Sequence, residues 1–190
     1  MNRLTFLLTL TLLTGCATTT SGTRNLVAEE ENKRLARAFT EEIYNQRQLD
    51  RIPVYVAQDF VDESPGAPPE AKGPDFVRKQ AEASLAALPD LRFDIEHLLA
   101  DGELVLIHWK ATGTDAKTLD DAGKPKQLTL QGQSLFRMRQ GKIVESWDIT
   151  DRLGFLLQRG FKLLPPVPAH AAPPAPAAPP AAPPAQPPAS

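Results

Sequence analysis

The stretch "LRFDIEHLLADGELVLIHWKATG", Leu91 to Gly113, decides the fold. Phe93, Ile95, His97 and Leu99 alternate with Arg92, Asp94, Glu96 and Leu98, and a period of two is that of a strand with one face buried. Asp101-Gly102 reads as a two-residue hairpin turn. Glu103 to Gly113 then returns as a second strand, in which Val105, Ile107 and Trp109 alternate with Leu104, Leu106 and His108. In this register Leu106 faces His97 and Ile95 faces His108. The two histidines are then diagonal neighbours about 7 Å apart or less.

Working outward, the hairpin repeats downstream. Asp115 to Pro125 reads as a polar loop, Leu128 to Met138 as a third strand, "RQGK" as a turn and Ile143 to Ile149 as a fourth strand. Arg152 to Arg159 closes with a short helix. Upstream the period changes to that of a helix. From Leu26 to Leu49, Leu35, Phe39 and Ile43 recur at every fourth position with Ala36 and Tyr44 beside them, which makes one apolar face. Ile52 to Ala57 reads as a further short helix, with Pro53 in its first turn. Ser64 to Gly73, "SPGAPPEAKG", is a loop by composition. Pro74 starts a helix whose buried face is Phe76, Val77, Ala81, Leu85 and Leu88, and Pro89 ends it. Helices followed by consecutive hairpins predict an α+β fold with a mainly antiparallel sheet.

The ends of the chain are of another kind. "MNRLTFLLTLTLLTGC" has a positive start at Arg3, an apolar run from Leu4 to Leu13 and small residues leading to Cys16, which is the layout of an export signal. The apolar run is shorter than the about 20 residues a permanent membrane helix needs. Leu13-Thr14-Gly15-Cys16 resembles the bacterial lipobox, which implies residues 1–15 as a signal peptide and Cys16 as a lipidated amino terminus. The other reading is an ordinary secretory signal in which Cys16 is incidental. Cys16 is the only cysteine, so no disulfide can form within one chain. Residues 16–24 make a short polar tether and 25–164 the folded domain. Residues 165–190 are a disordered tail, nearly all proline and alanine, that favours extended polyproline II. At about 3.1 Å per residue this tail spans up to ~80 Å, as a spacer, a contact arm or a dispensable extension. The net charge of −2 has acids and bases interspersed, with no basic cluster among stacking aromatics, so nucleic acid is not an expected partner. Anchoring through Cys16 places the protein at a bacterial cell envelope, on the outer membrane if the host is Gram-negative.

The phrases "LDRIPVYVAQDFVDESP", "LPDLRFDIEHLLADGELVLIHWKATGTD" and "LFRMRQGKIVESWDITDRLGFLLQRG" resemble the SnoaL-like polyketide cyclases, a family of the nuclear-transport-factor-2-like (NTF2-like) superfamily. The resemblance covers roughly residues 32–160. It implies a cone-shaped fold in which N-terminal helices pack on a strongly curved sheet around a largely apolar pocket. It also implies ring closure by an intramolecular aldol reaction without metal or cofactor. Three places where members often carry histidine hold Glu63, Asp115 and Ser134 here. Glu145, Trp147 and Asp151 remain.

An aldol closure needs a base to take a proton next to a carbonyl and an acid to protonate the new alkoxide. One carboxyl in an apolar pocket can alternate between these roles, because burial raises its pKa towards neutrality. In an extended strand Glu145, Trp147 and Ile149 share one face, and Ser146 and Asp148 the other. A regular strand therefore presents Asp151 or Asp148 to the pocket, not both. Asp151, which the family phrase retains, is the preferred acid/base, with Asp148 the alternative. Asp151 also directly precedes an apolar helix, where an aspartate caps free amides. The expected pocket residues are Tyr44, Trp109, His108, Ser134, Glu145 and Trp147. Glu145 is also placed to pair with Arg137 or Arg139 across the hairpin. His97 and His108 have no third ligand nearby, so no metal is expected. The expected partners are a small apolar ligand and, through Cys16, the membrane. Dimers are common in the family, so a homodimer is one further expectation, and an envelope partner for the proline tail is another. Two functions stay open. The lost histidines and the envelope location favour a module that binds an apolar molecule without turnover; the alternative is a cofactor-independent cyclase or isomerase.

Overall fold

Asn25 opens the first helix by capping it: its Oδ1 accepts the Ala28 N–H at 3.1 Å. The computed structural model describes residues 25–164; the signal segment, Cys16, the tether to Arg24 and the proline tail lie outside the described residues. Among the described residues no helix is long and apolar enough to cross a membrane. Helix α1 (Leu26–Phe39) turns Ala36 and Phe39 into the core. The helix expected to run on to Leu49 changes character instead. Thr40–Asn45 is a π-helical turn, and Leu49–Arg51 a 3₁₀ turn. Ile43 is fully buried and Tyr44 lies beside it.

Helix α2 (Ile52–Tyr55) is a single turn with Pro53 at its start. The chain then extends as strand β1 (Val56–Asp62), where the sequence predicts helix through Ala57. This strand pairs in parallel with the last strand, with an irregularity between Val56 and Val61. A bulged strand buried by both its sheet neighbour and a helix does not alternate cleanly, so its sequence carries no clear period of two. Helix α3 (Gly73–Ala87) follows, with Val77 and Ala81 buried. Leu88 leaves the helix in a non-helical conformation ahead of Pro89, as the residue before a proline tends to do.

Four long strands complete the sheet: β2 (Arg92–Asp101), β3 (Leu104–Leu119), β4 (Pro125–Arg139) and β5 (Lys142–Thr150). The order is β1-β5-β4-β3-β2, antiparallel except for the β1–β5 pair. The β2–β3 turn is Gly102-Glu103, one residue later than the sequence predicts. Gly102 has φ +58° and Glu103 does not share its left-handed φ, so the glycine takes the first central position. The slip resets the register: His97 lies directly opposite His108, with a bulge between Ile95 and His97. The β4–β5 turn, Gln140-Gly141, has both residues at positive φ. Strand β3 runs on to Leu119, through part of the expected polar loop, because Asp115 is buried there and held by bonds of its own. Its Oδ1 accepts the Lys117 N–H, and its Oδ2 accepts the Thr118 hydroxyl and the Arg159 Nε–H. Arg159 follows helix α4 (Arg152–Gln158), so the buried carboxylate ties that helix to the sheet.

The inner face of the sheet is read directly from β3, where Val105, Ile107, Trp109 and Ala111 are buried and the residues between them are not. They meet Phe39, Ile43, Ile52 and Val56 from the helical layer and β1. Each such side chain contributes about 1.5–3 kcal/mol on full burial. Part of the space between helices and sheet is left open, and that space is the candidate site.

Candidate functional site

The opening is a cavity of about 780 Å³. The sheet supplies Ile107, Trp109, Ser134, Phe136, Ser146 and Asp148 to its wall. Phe39 and Tyr44 come from the first helical segment, Phe60 and Asp62 from β1, and Phe93 from β2. The loop Ser64–Pro68, the end of α3, Thr150, Arg152 and Phe155 also border it. The aromatic rings form a connected chain. Phe39 meets Tyr44 edge-on at 6.0 Å, Tyr44 meets Phe93 at 4.9 Å, and Phe93 meets Trp109 at 5.1 Å. Such ring contacts stiffen a wall without filling the space it encloses.

Asp148 is the polar centre of this wall. It stands on β5 opposite Ser134 of β4, which in turn stands opposite Ile107 of β3. The Trp109 Nε1–H donates to Ser134 Oγ at 3.1 Å, and the Ser134 hydroxyl donates to Asp148 Oδ1. The Trp109 ring lies over Gly132. A Cβ at that position would collide with the ring and come within 2.6 Å of the Ile149 carbonyl oxygen, so glycine is what admits the indole. On the other side, the Asp148 N–H donates to Ser64 Oγ at 2.8 Å. Burial pushes the Asp148 carboxyl above the usual carboxylate range, and the nearby charge of Asp62 pushes the same way. The hydroxyls of Ser134, Ser146 and Ser64 favour the ionised form and oppose that rise.

Tyr44 is the second polar group. Burial raises its pKa far above the ordinary tyrosine value, and the charges of Asp148 and Asp62 add to the rise. The phenol therefore keeps its proton. Its hydroxyl has no hydrogen-bond partner among the described residues and borders the cavity. A protonated donor and a carboxyl of raised pKa thus face one apolar space. Together they can move a proton and stabilise an oxygen that gains charge.

Of the expected site residues, the structure brings Tyr44, Trp109, Ser134 and Asp148 together. Asp151 is elsewhere. It is exposed, and its Oδ1 accepts the Gly154 N–H at 2.8 Å as the N-cap of α4. Its placement corrects the preference for Asp151 over Asp148: β5 ends at Thr150, so Asp151 does not continue either strand face. Glu145 and Trp147 also fall outside the cavity, on the opposite face of β5. Glu145 accepts the Arg137 Nε–H at 2.7 Å, and the Arg137 guanidinium stacks 5.6 Å from the Trp147 ring centre. His108 is on that outer face as well. Its ring stacks on His97 at 5.5 Å, and its Nδ1 lies 3.5 Å from Glu96. Sequence reasoning missed Asp62, Ser64, Ser146 and Phe93 as cavity residues. Ser146 was within reach, since it shares the Asp148 face. Among the described residues no three His, Cys, Asp or Glu side chains converge where a metal ion could sit.

The sheet order, the helical layer and the cavity between them define an NTF2-like domain. Residues 34–159 match the model of the SnoaL-like polyketide cyclase family, and the chain belongs to that family. Solved structures agree. A proposed polyketide cyclase of Acidithiobacillus ferrooxidans is 27% identical over 68% of this chain and 94% of its own, with a TM-score of 0.60. AclR of Streptomyces galilaeus, described as a proposed hydroxylase, is 24% identical over 70% of this chain and 97% of its own (TM-score 0.58). IdmH of Streptomyces antibioticus, a proposed polyketide cyclase, is 22% identical over 68% and 99% (TM-score 0.59). These two show the fold alone. A search of curated proteins found no match.

Proposed function

We propose that the domain binds a small, largely apolar carbonyl compound in the cavity and moves protons on it, as a cyclase or isomerase that needs no cofactor. The observation that carries this reading is Asp148: a half-buried carboxyl of raised pKa, bonded to Ser134, on the wall of an aromatic-lined cavity. Asp148, held at Oδ1 by the Ser134 hydroxyl, is the reactive carboxyl. In its ionised form Asp148 takes a proton from the carbon next to the ligand's carbonyl. The electron pair moves onto the carbonyl oxygen, where the Tyr44 hydroxyl donates a hydrogen bond to the enolate. The enolate carbon then attacks a second carbonyl of the same molecule, a carbon–carbon bond closes the ring, and Asp148 returns its proton to the new alkoxide. Without a second carbonyl, return of the proton to carbon gives an isomerisation.

A direct test uses 2-tetralone, an apolar ketone with exchangeable α protons. In D₂O the protein is expected to accelerate their exchange, followed by NMR. Asp148→Asn removes the base and keeps an acceptor for Ser134, so exchange falls to the uncatalysed rate while folding is retained. A wild-type protein that binds the ketone without exchanging its protons would instead be a binding module.

The same reading places the domain at a cell envelope, held by acyl chains on Cys16. Its support is the lipobox-like sequence. Cys16→Ser is expected to move the protein from the membrane fraction to the soluble one.

A further inference from the structure

The proton-transfer scheme leaves one cavity acid unused. Asp62, the last residue of β1, lines the cavity and is half-buried. Its Oδ1 accepts the Ser64 N–H at 2.9 Å, and no other side-chain bond to it is present among the described residues. Neither Asp62 nor Asp148 forms an ion pair with a described Lys, Arg or His. Among the described residues the cavity wall includes no lysine or histidine, and the one cation among them, Arg152, is exposed at the first position of α4. A pair of acids alone would say little. Here they border a cavity that Phe39, Tyr44, Phe60, Phe93 and Trp109 also line, and the half-buried Tyr44 hydroxyl has no hydrogen-bond partner among the described residues. The π electrons of aromatic rings attract cations and repel anions. Asp62, Asp148 and Tyr44 all line this one cavity, and the three lie near enough for the charges of both acids to act on Tyr44 and that of Asp62 on Asp148.

From this we infer that Asp62 receives a positively charged nitrogen carried on the apolar body of the ligand, leaving Asp148 free for proton transfer. The inference rests on the cavity being the ligand site. It narrows the ligand from any apolar molecule to an amine-bearing one and excludes carboxylates, which would meet two acids and no buried cation. The two acids then divide the work. Asp62 selects by charge near the loop, and Asp148 acts at the Ser134 end.

Three probes of one shape separate these statements: 2-naphthylmethylamine, 2-naphthalenemethanol and 2-naphthoate, titrated by calorimetry at neutral pH. The amine is expected to bind about tenfold tighter than the alcohol, with the naphthoate weakest, since one desolvated charge pair and the ring walls both favour the cation. In Asp62→Asn the amine falls to the affinity of the alcohol, and the alcohol itself is unaffected. In Asp148→Asn a preference for the amine persists. Thermal melts confirm that each variant is folded. An unchanged amine-to-alcohol ratio in Asp62→Asn, a preference lost only in Asp148→Asn, or naphthoate binding as tightly as the amine overturns the inference while leaving the cavity reading intact. Failure of all three probes to bind overturns both.

Discussion

Two residues, Ile149 and Thr150, separate Asp148 from Asp151, yet one carboxyl sits on the wall of an aromatic-lined cavity against a serine and the other caps a helix in water. The same contrast divides β5 along its length. Ser146 and Asp148 look inward, while Glu145 and Trp147 look outward to Arg137. Nearness in sequence therefore says little about reactivity. What matters is which face of the pleat a residue takes and whether the strand still exists where it stands. A carboxyl on the inner face loses water and gains a reason to hold its proton. A carboxyl past the strand's end gains free amides to accept from.

Several experiments would break or sharpen this contrast. The largest effect is expected on proton transfer. Asp148→Asn should lower the exchange rate by about 10²-fold or more, in the range that a positioned acid/base contributes. Asp151→Asn should leave it unchanged. Equal losses in both would erase the distinction between the faces.

Stability should move the opposite way at the same residue. The folded Asp148 pKa lies above its unfolded value of 3.8. The native state therefore binds more protons than the unfolded state as pH rises through the interval between the two, and stability falls across it. Above that interval the buried charge is a standing cost. Asp148→Asn should accordingly raise Tm near neutral pH, with the gain vanishing below the unfolded value. Melting curves across this range check the sign, and a gain that grows on acidification would contradict the burial of Asp148.

A smaller effect is expected at the helix cap. Asp151→Ala should cost about 1 kcal/mol, as loss of an N-cap acceptor does. Asp151→Asn should restore most of it, read from the shift of the denaturation midpoint. The smallest belongs to the outer face. Glu145→Gln weakens a solvent-screened pair with Arg137, and such pairs contribute little. Its Tm and its exchange rate should match wild type, and a marked loss in either would mean that the outer face acts on the cavity.

Much of the fold was legible because its signals are local. The alternation of Phe93 with Ile95 and of Val105, Ile107 and Trp109, and the Gln140-Gly141 turn, are written in neighbouring residues, as is the stop at Pro89. Past the bulge after Ile95 the faces of β2 exchange, so that Leu98 and Ala100 pack on the core and Leu99, expected to share the Phe93 face, is exposed. Strand β1 was not legible, because it pairs with a strand far along the chain and its pattern is broken by a bulge. The hairpin slip was invisible too, since Asp101-Gly102 and Gly102-Glu103 both suit a turn and only the bulge before His97 decides between them. At the site, Tyr44, Trp109 and Ser134 followed from periodicity and resemblance. The choice between Asp148 and Asp151 depended on where β5 ends. No single-residue preference fixes that point. The sequence offered two readings of Asp151, a further strand position and a helix cap, and the bond from the Gly154 N–H shows the cap.

The turn from Thr40 to Asn45 has one further consequence. A π-turn holds a surplus residue relative to the α-helix before it, and such turns are uncommon because ordinary winding is more favourable. Deleting that surplus residue would let the segment relax into regular α-winding while the residues beyond it keep their phase, because the π-turn is what absorbs the extra residue. The result would be a tidier helix, but one without the widened turn that now brings Tyr44 to the cavity wall. The preference for ordinary winding and the present placement of Tyr44 thus pull in opposite directions within one turn of the chain.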